Sequence, residues 1–596
     1  MDPLAALCFE VSWEVCNKVG GIYTVVTSKA ACMMSKYRHN YIAVGPFFPK
    51  KAFGSFEEKL APEDIRPVFD DLKNVGLVCH FGTWLIKGSP SVILIDFSGF
   101  SKNTNDIKRN LWDWFGVDSL GTTWFDFDEP VVWSYAVGIL LERVAKVRKD
   151  QRIVAHFHEW LAGAGLLYLK KMNIPIAKVF TTHATMLGRT IASANMDCFE
   201  VCKKINPDEE ARRRGVLPKH QMERGCAKNA EVFTTVSEIT GIEAEQLLGR
   251  KPDVLTLNGL DLMKFPTFEE ASIKHRQIRE RMREFCMYYF FPYYTFDLDE
   301  TLFYFLAGRY EFHDKGIDMF IKALAEINRR LQAEKSPKTI VAFIWVPGNV
   351  KGIKSELLEG KTFYGDLADS IDHDLPEIRR RIASSLIGRQ DISKELLFNE
   401  DQLQDLKRKV FRILRSGKAP VCTHDLFDEQ SDAIISALYA EGLDNGPEDR
   451  VKVIFYPIYL TGTDTLLNTT YYESMHGCHL GVFPSFYEPW GYTPLEASAL
   501  CVPSVTTDLA GFGRYVCATC PAGKTSGVFV LKRLQVSDES FAQALTNQMY
   551  DYAMLSVQER VQTKINARAI AEQADWRNFI EYYIEAHNKA VERLNA

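Results

Sequence analysis

The chain has 596 residues, of which 46% are hydrophobic, 25% charged and 12% aromatic, an ordinary globular composition that excludes a disordered, collagenous or purely coiled-coil protein. At roughly 150 residues per domain it has room for two to four domains. Lysine plus arginine (71) nearly balances aspartate plus glutamate (77), for a net charge of −6. No global field is available to grip nucleic acid or an anionic membrane, so an anionic ligand must be held by a few placed cations. The first cation, Lys18, comes too late for the positive start of a secretory signal. The longest apolar stretch, Val131 to Leu141, falls short of the roughly 20 residues that span a bilayer. Thirteen scattered cysteines fit no disulfide framework and read as reduced thiols. A soluble cytoplasmic protein is expected.

In chain order, the first signal is Asn17-Lys18-Val19-Gly20-Gly21-Ile22, which closes an apolar segment and opens a helix. Paired glycines let a backbone approach a ligand, and a helix start offers N–H groups to an anion; the plainer reading is a bend. It is neither G-x-G-x-x-G nor a P-loop, so hydride transfer and P-loop phosphotransfer lose support. Apolar runs follow at Ile153–Ala155, Lys178–Phe180, Glu231–Val236, Phe303–Ala307, Thr339–Ile344, Val453–Phe455 and Leu480–Phe483. They lack polar alternation, as parallel strands buried on both faces do. Helical patterns lie between them, for example Ile317 to Leu331 with Phe320, Leu324, Ile327 and Leu331 on one face. The alternation predicts a doubly wound α/β architecture, repeated over about 1–260 and 300–575, with a ligand in the cleft between the lobes.

His156-Phe157-His158-Glu159-Trp160 follows the run at 153, and Thr181-Thr182-His183-Ala184 with Arg189 follows the next. His-x-His invites a metal, but no acidic or cysteine cluster at the expected spacing completes a site, and packed histidines are the stronger reading. Ala307-Gly308-Arg309-Tyr310 with Lys315-Gly316 puts two cations past a buried strand and before a helix. That is a sensible diphosphate cradle or, more plainly, a pair of solvated loop cations. The region 350–420 breaks the alternation. It is charged and helical, with Leu403, Leu406, Val410 and Ile413 at a/d spacing, and serves either as a surface helix or as a subunit contact. The strongest segment is Phe486 to Glu496, which carries Glu488 and Glu496 across a strand–loop–helix junction. Thr493-Pro494-Leu495-Glu496 fits a capping box with proline at N1, whereas Glu488 has no capping role and is either an exposed loop glutamate or functional. Cys517-Ala518-Thr519-Cys520 reads as loop thiols.

Taken together, Glu14–Tyr23, Ala155–Gly163, Phe180–Thr185, Ala307–Glu311, Gly477–Ser485 and Glu488–Glu496 closely resemble eukaryotic-type glycogen synthase, a retaining glucosyltransferase family, from Phe9 to about Trp576. The resemblance implies a GT-B fold: two Rossmann-like lobes facing across a cleft, with a helical insertion in the second. It implies an N-terminal lobe 1–268 joined by the C-terminal helix (about 578–596), a charged helical linker 269–298, a donor lobe of 299–348 and 421–577, and an insertion 349–420 used in oligomerisation. The implied reaction moves glucose from UDP-glucose to the 4-hydroxyl of a glycogen chain without metal or cofactor. Glu488 and Glu496 are then the E-x7-E pair, with Arg309 and Lys315 on the diphosphate, Tyr471 on the uracil and Glu496 on the ribose. Trp490, Gly491, Tyr492 and Thr493 adjoin the donor, which Lys18, Gly20 and Gly21 close from the other lobe. His183, Arg189, Glu159 and Asn258 line the sugar and acceptor side. His275, Lys564 and Arg568 remain of the family's glucose 6-phosphate site, whose arginine-dense helix is thinned here to Arg560, Lys564 and Arg568. A homotetramer and a glycogenin-like primer are further implications. ADP-glucose as donor and an idle glycogen-binding scaffold are the alternatives.

Overall fold

The computed structural model describes residues 1–393, 397–398, 400–520, 523 and 526–596. Among these, nine strands form one sheet: β1 (Leu7–Val11), β2 (Tyr41–Pro46), β3 (Phe56–Glu58), β4 (Val78–Trp84), β5 (Ser91–Asp96), β6 (Ile153–His158), β7 (Ala177–Thr182), β8 (Val232–Thr235) and β9 (Val254–Leu255). The order is β3-β4-β5-β2-β1-β6-β7-β8-β9. From β5 to β9 the pairing is parallel, and β3 and β4 add an antiparallel edge. Strands β1, β2, β6, β7 and β8 are buried along their whole length, which is why their sequences lack alternation.

The second sheet is parallel throughout. It comprises β10 (Thr301–Ala307), β11 (Thr339–Trp345), β14 (Val451–Phe455), β15 (Leu480–Val482), β16 (Ser504–Thr507) and β17 (Val528–Leu531) in the order β14-β11-β10-β15-β16-β17. The helix Ile317–Ala333 buries Phe320, Leu324, Ile327 and Leu331 against it, the stripe read from the sequence. Between β11 and β14 the antiparallel pair β12 (Val350–Ile353) and β13 (His424–Leu426) carries the insertion. There the helices Ser355–Ile387 and Glu400–Ile413 pack on each other. In the latter Leu403, Leu406 and Ile413 are half-buried and Val410 is 41% exposed. Residues 394–396 and 399 of the insertion lie outside the described residues.

The segment anticipated as a charged linker is the helix Phe268–Phe290, opened by a reciprocal Thr267–Glu270 capping box. Its stripe of Ala271, Ile278, Met282, Phe285 and Tyr289 is buried and joins the core beneath the second sheet. It is therefore part of the second lobe rather than a tether, because its charges occupy only the outer faces. The final helix, Trp576–Asn595, runs the other way. It leaves the second lobe at Asp575, where Leu260 and Asp575 bridge, and packs under β6, β7, β8 and β9 of the first. Gly259 is required at that crossing, since a Cβ there would lie 2.8 Å from the Trp576 ring. One apolar cluster joins Val25, Met33, Val154 and Val179 of the first lobe, Trp490, Leu495 and Phe512 of the second, and Phe579, Ile584 and Val591 of the final helix.

Candidate active site

The parallel strands of both lobes end in loops that carry most of the candidate residues, as expected at the carboxyl edge of a doubly wound sheet. After β10, the loop 308–316 turns sharply into the helix Ile317–Ala333. Gly316 has φ +68°, and a Cβ there would sit 2.2 Å from the Pro484 carbonyl, so only glycine fits. This close approach sets Lys315 against the loop after β15, where its Nζ donates to Glu488 Oε2 at 2.5 Å. Asp314 steadies the same arrangement, its carbonyl accepting from the N–H groups of Phe486 and Tyr487 at 2.9 and 3.2 Å. Beside the pair lies a small cavity of about 10 Å³ walled by Ala307, Ser485, Thr493, Pro494 and Thr506. Arg309 does not join them. It stands 68% exposed, paired with Glu311 at 2.9 Å.

Glu496 corrects one expectation. The helix is Tyr492–Ala499 with Gly491 as its N-cap at φ +100°, so the Thr493–Glu496 capping box does not form and Glu496 lies inside the helix. Its Oε1 accepts from the Tyr472 hydroxyl at 2.8 Å, and burial, partly offset by that bond, pushes its carboxyl up to about 7. Tyr472 was invisible in the sequence, where Tyr471 carried the expectation. The two rings lie 5.4 Å apart, with Tyr472 edge-on to Phe265 at 5.2 Å. Trp490 is also corrected: its ring is buried among Phe512, Phe579 and Tyr515, a wedge in the shared core and not a wall of the cleft.

On the opposite lobe, the Gly20–Gly21 turn opens the helix Gly21–Tyr37. Its N–H groups are not all free for an anion, because Glu14 Oε2 accepts from Gly20 N at 2.7 Å and Tyr23 N at 2.9 Å. Lys18 and Gly21 remain exposed beside it. Glu159 holds a left-handed backbone (φ 63°), strained for a residue with a Cβ and found mostly where function demands it. Its carboxylate accepts from the amides of His183 and Ala184 at 2.8 and 3.3 Å, and burial, opposed by Arg189, pushes it up to about 7. Asn258 is buried with its amide oxygen unpartnered among the described residues.

Beneath His183 runs a buried relay. Lys29 Nζ lies 2.5 Å from Glu10 Oε1, which also meets His158 Nε2 at 2.5 Å, while Tyr41 donates to the other oxygen at 2.9 Å. Burial alone would raise the Glu10 carboxyl, but Lys29 and His158 hold it well below the usual range. An ionised Glu10 only accepts, so His158 donates from Nε2. Burial keeps that ring neutral, which leaves its Nδ1 as the acceptor for His183 Nε2 at 3.0 Å. His183 thus carries its proton on Nε2 and a lone pair on Nδ1. A second branch ties His156 to His587 at 3.0 Å and His587 to Tyr37 at 2.9 Å. Glu10, His156 and His158 are the one group of possible metal ligands among the described residues, and the Lys29 ammonium already balances its charge.

A second cavity, about 560 Å³, opens between the helix Phe268–Phe290 and the helix Val557–Gln573, lined by His275, Arg276, Arg279, Arg283 and Lys564. His275 Nε2 and Arg279 Nη2 are buried there without partners among the described residues, and burial together with Arg279 and Arg560 pushes Lys564 down to about 7. Arg568 is elsewhere, bonded to the Ala499 carbonyl at 2.6 Å and paired with Glu572 at 3.1 Å. Arg279, and not Arg568, lines this cavity with His275 and Lys564.

Residues 10–596 match the family model described as glycogen synthase. The chain belongs to the glycogen synthase family. It is 37% identical over 590 residues to the liver glycogen [starch] synthase of Mus musculus, covering 98% of this chain and 83% of that protein. It is 36% identical over 614 residues to glycogen [starch] synthase isoform 2 of Saccharomyces cerevisiae, covering 98% and 86%. Among solved structures, the catalytic domain of starch synthase IV from Arabidopsis thaliana is similar in fold, with a TM-score of 0.52 at 12% identity over 99% of this chain and 100% of that one. The architecture is GT-B, and the family is one of glucosyltransferases. No helix among the described residues is long and apolar enough to cross a membrane.

Proposed function

We propose that the chain transfers glucose from UDP-glucose to the 4-hydroxyl at the end of a glycogen chain, with retention and without a metal. The observation that carries this reading is the Lys315–Glu488 pair at the carboxyl edge of the second sheet, facing a first lobe that presents His183, Glu159 and Asn258. As found, the ammonium neutralises the carboxylate. A donor diphosphate competes for Lys315 and frees Glu488 to face the sugar.

The bond from C1 to the diphosphate oxygen then breaks, its electron pair leaving on UDP, while the acceptor oxygen bonds to C1 on the same face and its proton passes to the departing phosphate oxygen. Lys315, with Arg309 swinging in from the rim, stabilises the growing negative charge, and Glu488 stabilises the cationic sugar. Glu496, near neutrality in its pocket, meets the ribose, with Tyr471 beside the base and Gly491 to Thr493 near the phosphates. Lys18, Gly20 and Gly21 close the donor from the other lobe, Glu14 yielding the amides it now holds. His183 offers Nδ1 to a sugar hydroxyl, Arg189 lies towards the acceptor, and Glu488 serves as an electrostatic partner.

The test is glucose transfer to glycogen from UDP-glucose, with ADP-glucose as competitor, beside Glu488→Gln. Loss of about 100-fold or more in kcat with donor KM little changed is expected; equal turnover overturns the assignment, and preference for ADP-glucose overturns the donor. The same reading places glucose 6-phosphate at His275, Arg279 and Lys564, self-association into a tetramer at the insertion, and a glycogenin-like primer and the cytoplasm as the setting.

A further inference from the structure

Glu488 belongs to the second lobe, but both of its neighbours are held by the first. The Tyr487 ring is buried in a cluster with Leu187, Ile191 and Leu247 of the first lobe, and its hydroxyl donates to Glu243 Oε1 at 3.1 Å. On the other side, the Pro489 carbonyl accepts from Ser237 Oγ at 2.6 Å. Ser237 is the N-cap of the helix Glu238–Leu248 and Glu243 lies within it, so one first-lobe helix grips the loop at two points that bracket Glu488. Glu243 is itself fixed, since its Oε1 accepts from the Thr185 hydroxyl at 2.5 Å and the Thr185 amide at 3.1 Å. The second lobe holds the backbone of this loop, Gly511 N donating to the Glu488 carbonyl at 3.1 Å and Phe512 N to the Trp490 carbonyl at 2.7 Å, and holds the Glu488 carboxylate through Lys315. A Cβ on Gly511 would come within 2.3 Å of the Pro489 carbonyl and 2.5 Å of Ser237 Cβ, which shows how tightly the three strands of chain meet.

We propose that Ser237, Glu243 and Tyr487 are positioning residues for Glu488: the helix Glu238–Leu248 sets the carboxylate only when the two lobes are seated. Separating the lobes withdraws Ser237 and Glu243 from the loop and leaves Glu488 with the second lobe's own holds, its ion pair with Lys315 and the backbone bonds from Gly511 and Asp314, without the two side-chain grips that bracket it. Glu488 then reaches its working geometry only in the closed enzyme, in which water is also excluded. The proposal rests on the reading of Glu488 given above.

The test compares Tyr487→Phe, Glu243→Ala, Glu243→Gln and Glu488→Gln in the full chain, with UDP-glucose and glycogen. Tyr487→Phe keeps the packed ring and removes only the hydroxyl. A misplaced reacting group costs roughly tenfold or more, so Tyr487→Phe and Glu243→Ala are expected to lose about that much kcat with donor KM little changed, Tyr487→Phe also keeping a Tm near that of the parent. Glu243→Gln, which keeps an acceptor oxygen, is expected to recover most of the loss. If Tyr487→Phe and Glu243→Ala retain parental kcat while Glu488→Gln is inactive, the positioning role is wrong and the reading of Glu488 stands. If Glu488→Gln itself turns over normally, that reading falls and takes the proposal with it. A loss of kcat that tracks a fall in Tm and in donor binding assigns these residues to packing and overturns the proposal.

Discussion

Lys29 and Glu10 are both fully buried, and each is tolerable only because the other is charged. Removing one partner strands a charge in a medium that cannot solvate it, at a cost of about 3–5 kcal/mol, whereas removing both leaves an apolar gap of smaller consequence. Lys29→Met is expected to lower unfolding stability by that amount in a urea titration, and the double variant Lys29→Met/Glu10→Gln to recover much of it. Glu243 behaves differently. Burial, partly offset by Thr185 and Tyr487, pushes its carboxyl up to about 7, so the folded chain keeps a proton that the unfolded chain releases above the usual carboxylate value. Its stabilising contribution is complete at acid pH and is lost as pH rises through about 7. Glu243→Gln cannot ionise, so its stability relative to the parent is expected to rise by up to about 3 kcal/mol between roughly pH 5 and pH 8, read from parallel denaturant curves. Single residues were unevenly legible. The places of Glu488 and Lys315 at strand ends were legible because each follows a buried strand. Glu10, Lys29, Glu14 and Glu243 could not, because their chemistry lies in partners brought together by folding.

At the scale of elements, the alternation of apolar runs and amphipathic helices was enough for the doubly wound class, since burial on both faces erases polar residues from a strand. Sheet order carries no such local trace. The helix Phe268–Phe290 was under-read because its charges are plentiful, although Ala271, Ile278, Met282 and Phe285 recur at helical spacing. Its Arg279, half of a cation pair with Lys564 in the second cavity, is the better candidate for a phosphate ligand. On the proposed glucose 6-phosphate site, Arg279→Ala is expected to weaken the effector's action about tenfold or more, while Arg568→Ala leaves its midpoint within about twofold, since that side chain is spent on the Ala499 carbonyl; a titration of activity against glucose 6-phosphate decides it, and no response in the parent overturns the site. The insertion exposes Leu375, Leu386, Ile387 and Phe411 at 50%, 62%, 85% and 71%, an apolar face that suits the proposed self-association. On that proposal, Phe411→Glu is expected to give smaller species than the parent in sedimentation, with the catalytic lobes still folded.

Across the whole molecule, the two lobes share one apolar cluster and are crossed by one helix. Trp576–Asn595 contributes Phe579, Tyr583, Ile584 and Val591 to the floor of the first lobe, and its His587 completes the branch through His156 and Tyr37. Truncation after Asp575 is expected to abolish cooperative unfolding of the first lobe, not merely to lower its midpoint, and calorimetry with the donor lobe as an internal reference separates the two outcomes. This helix also has a consequence for synthesis. Ribosomes deliver the first lobe's nine strands hundreds of residues before the segment that seals their underside. Until that helix has emerged, Val154, Val179 and Val232 lack the side chains that cover them in the folded protein, so the first lobe cannot close its core while it is being made.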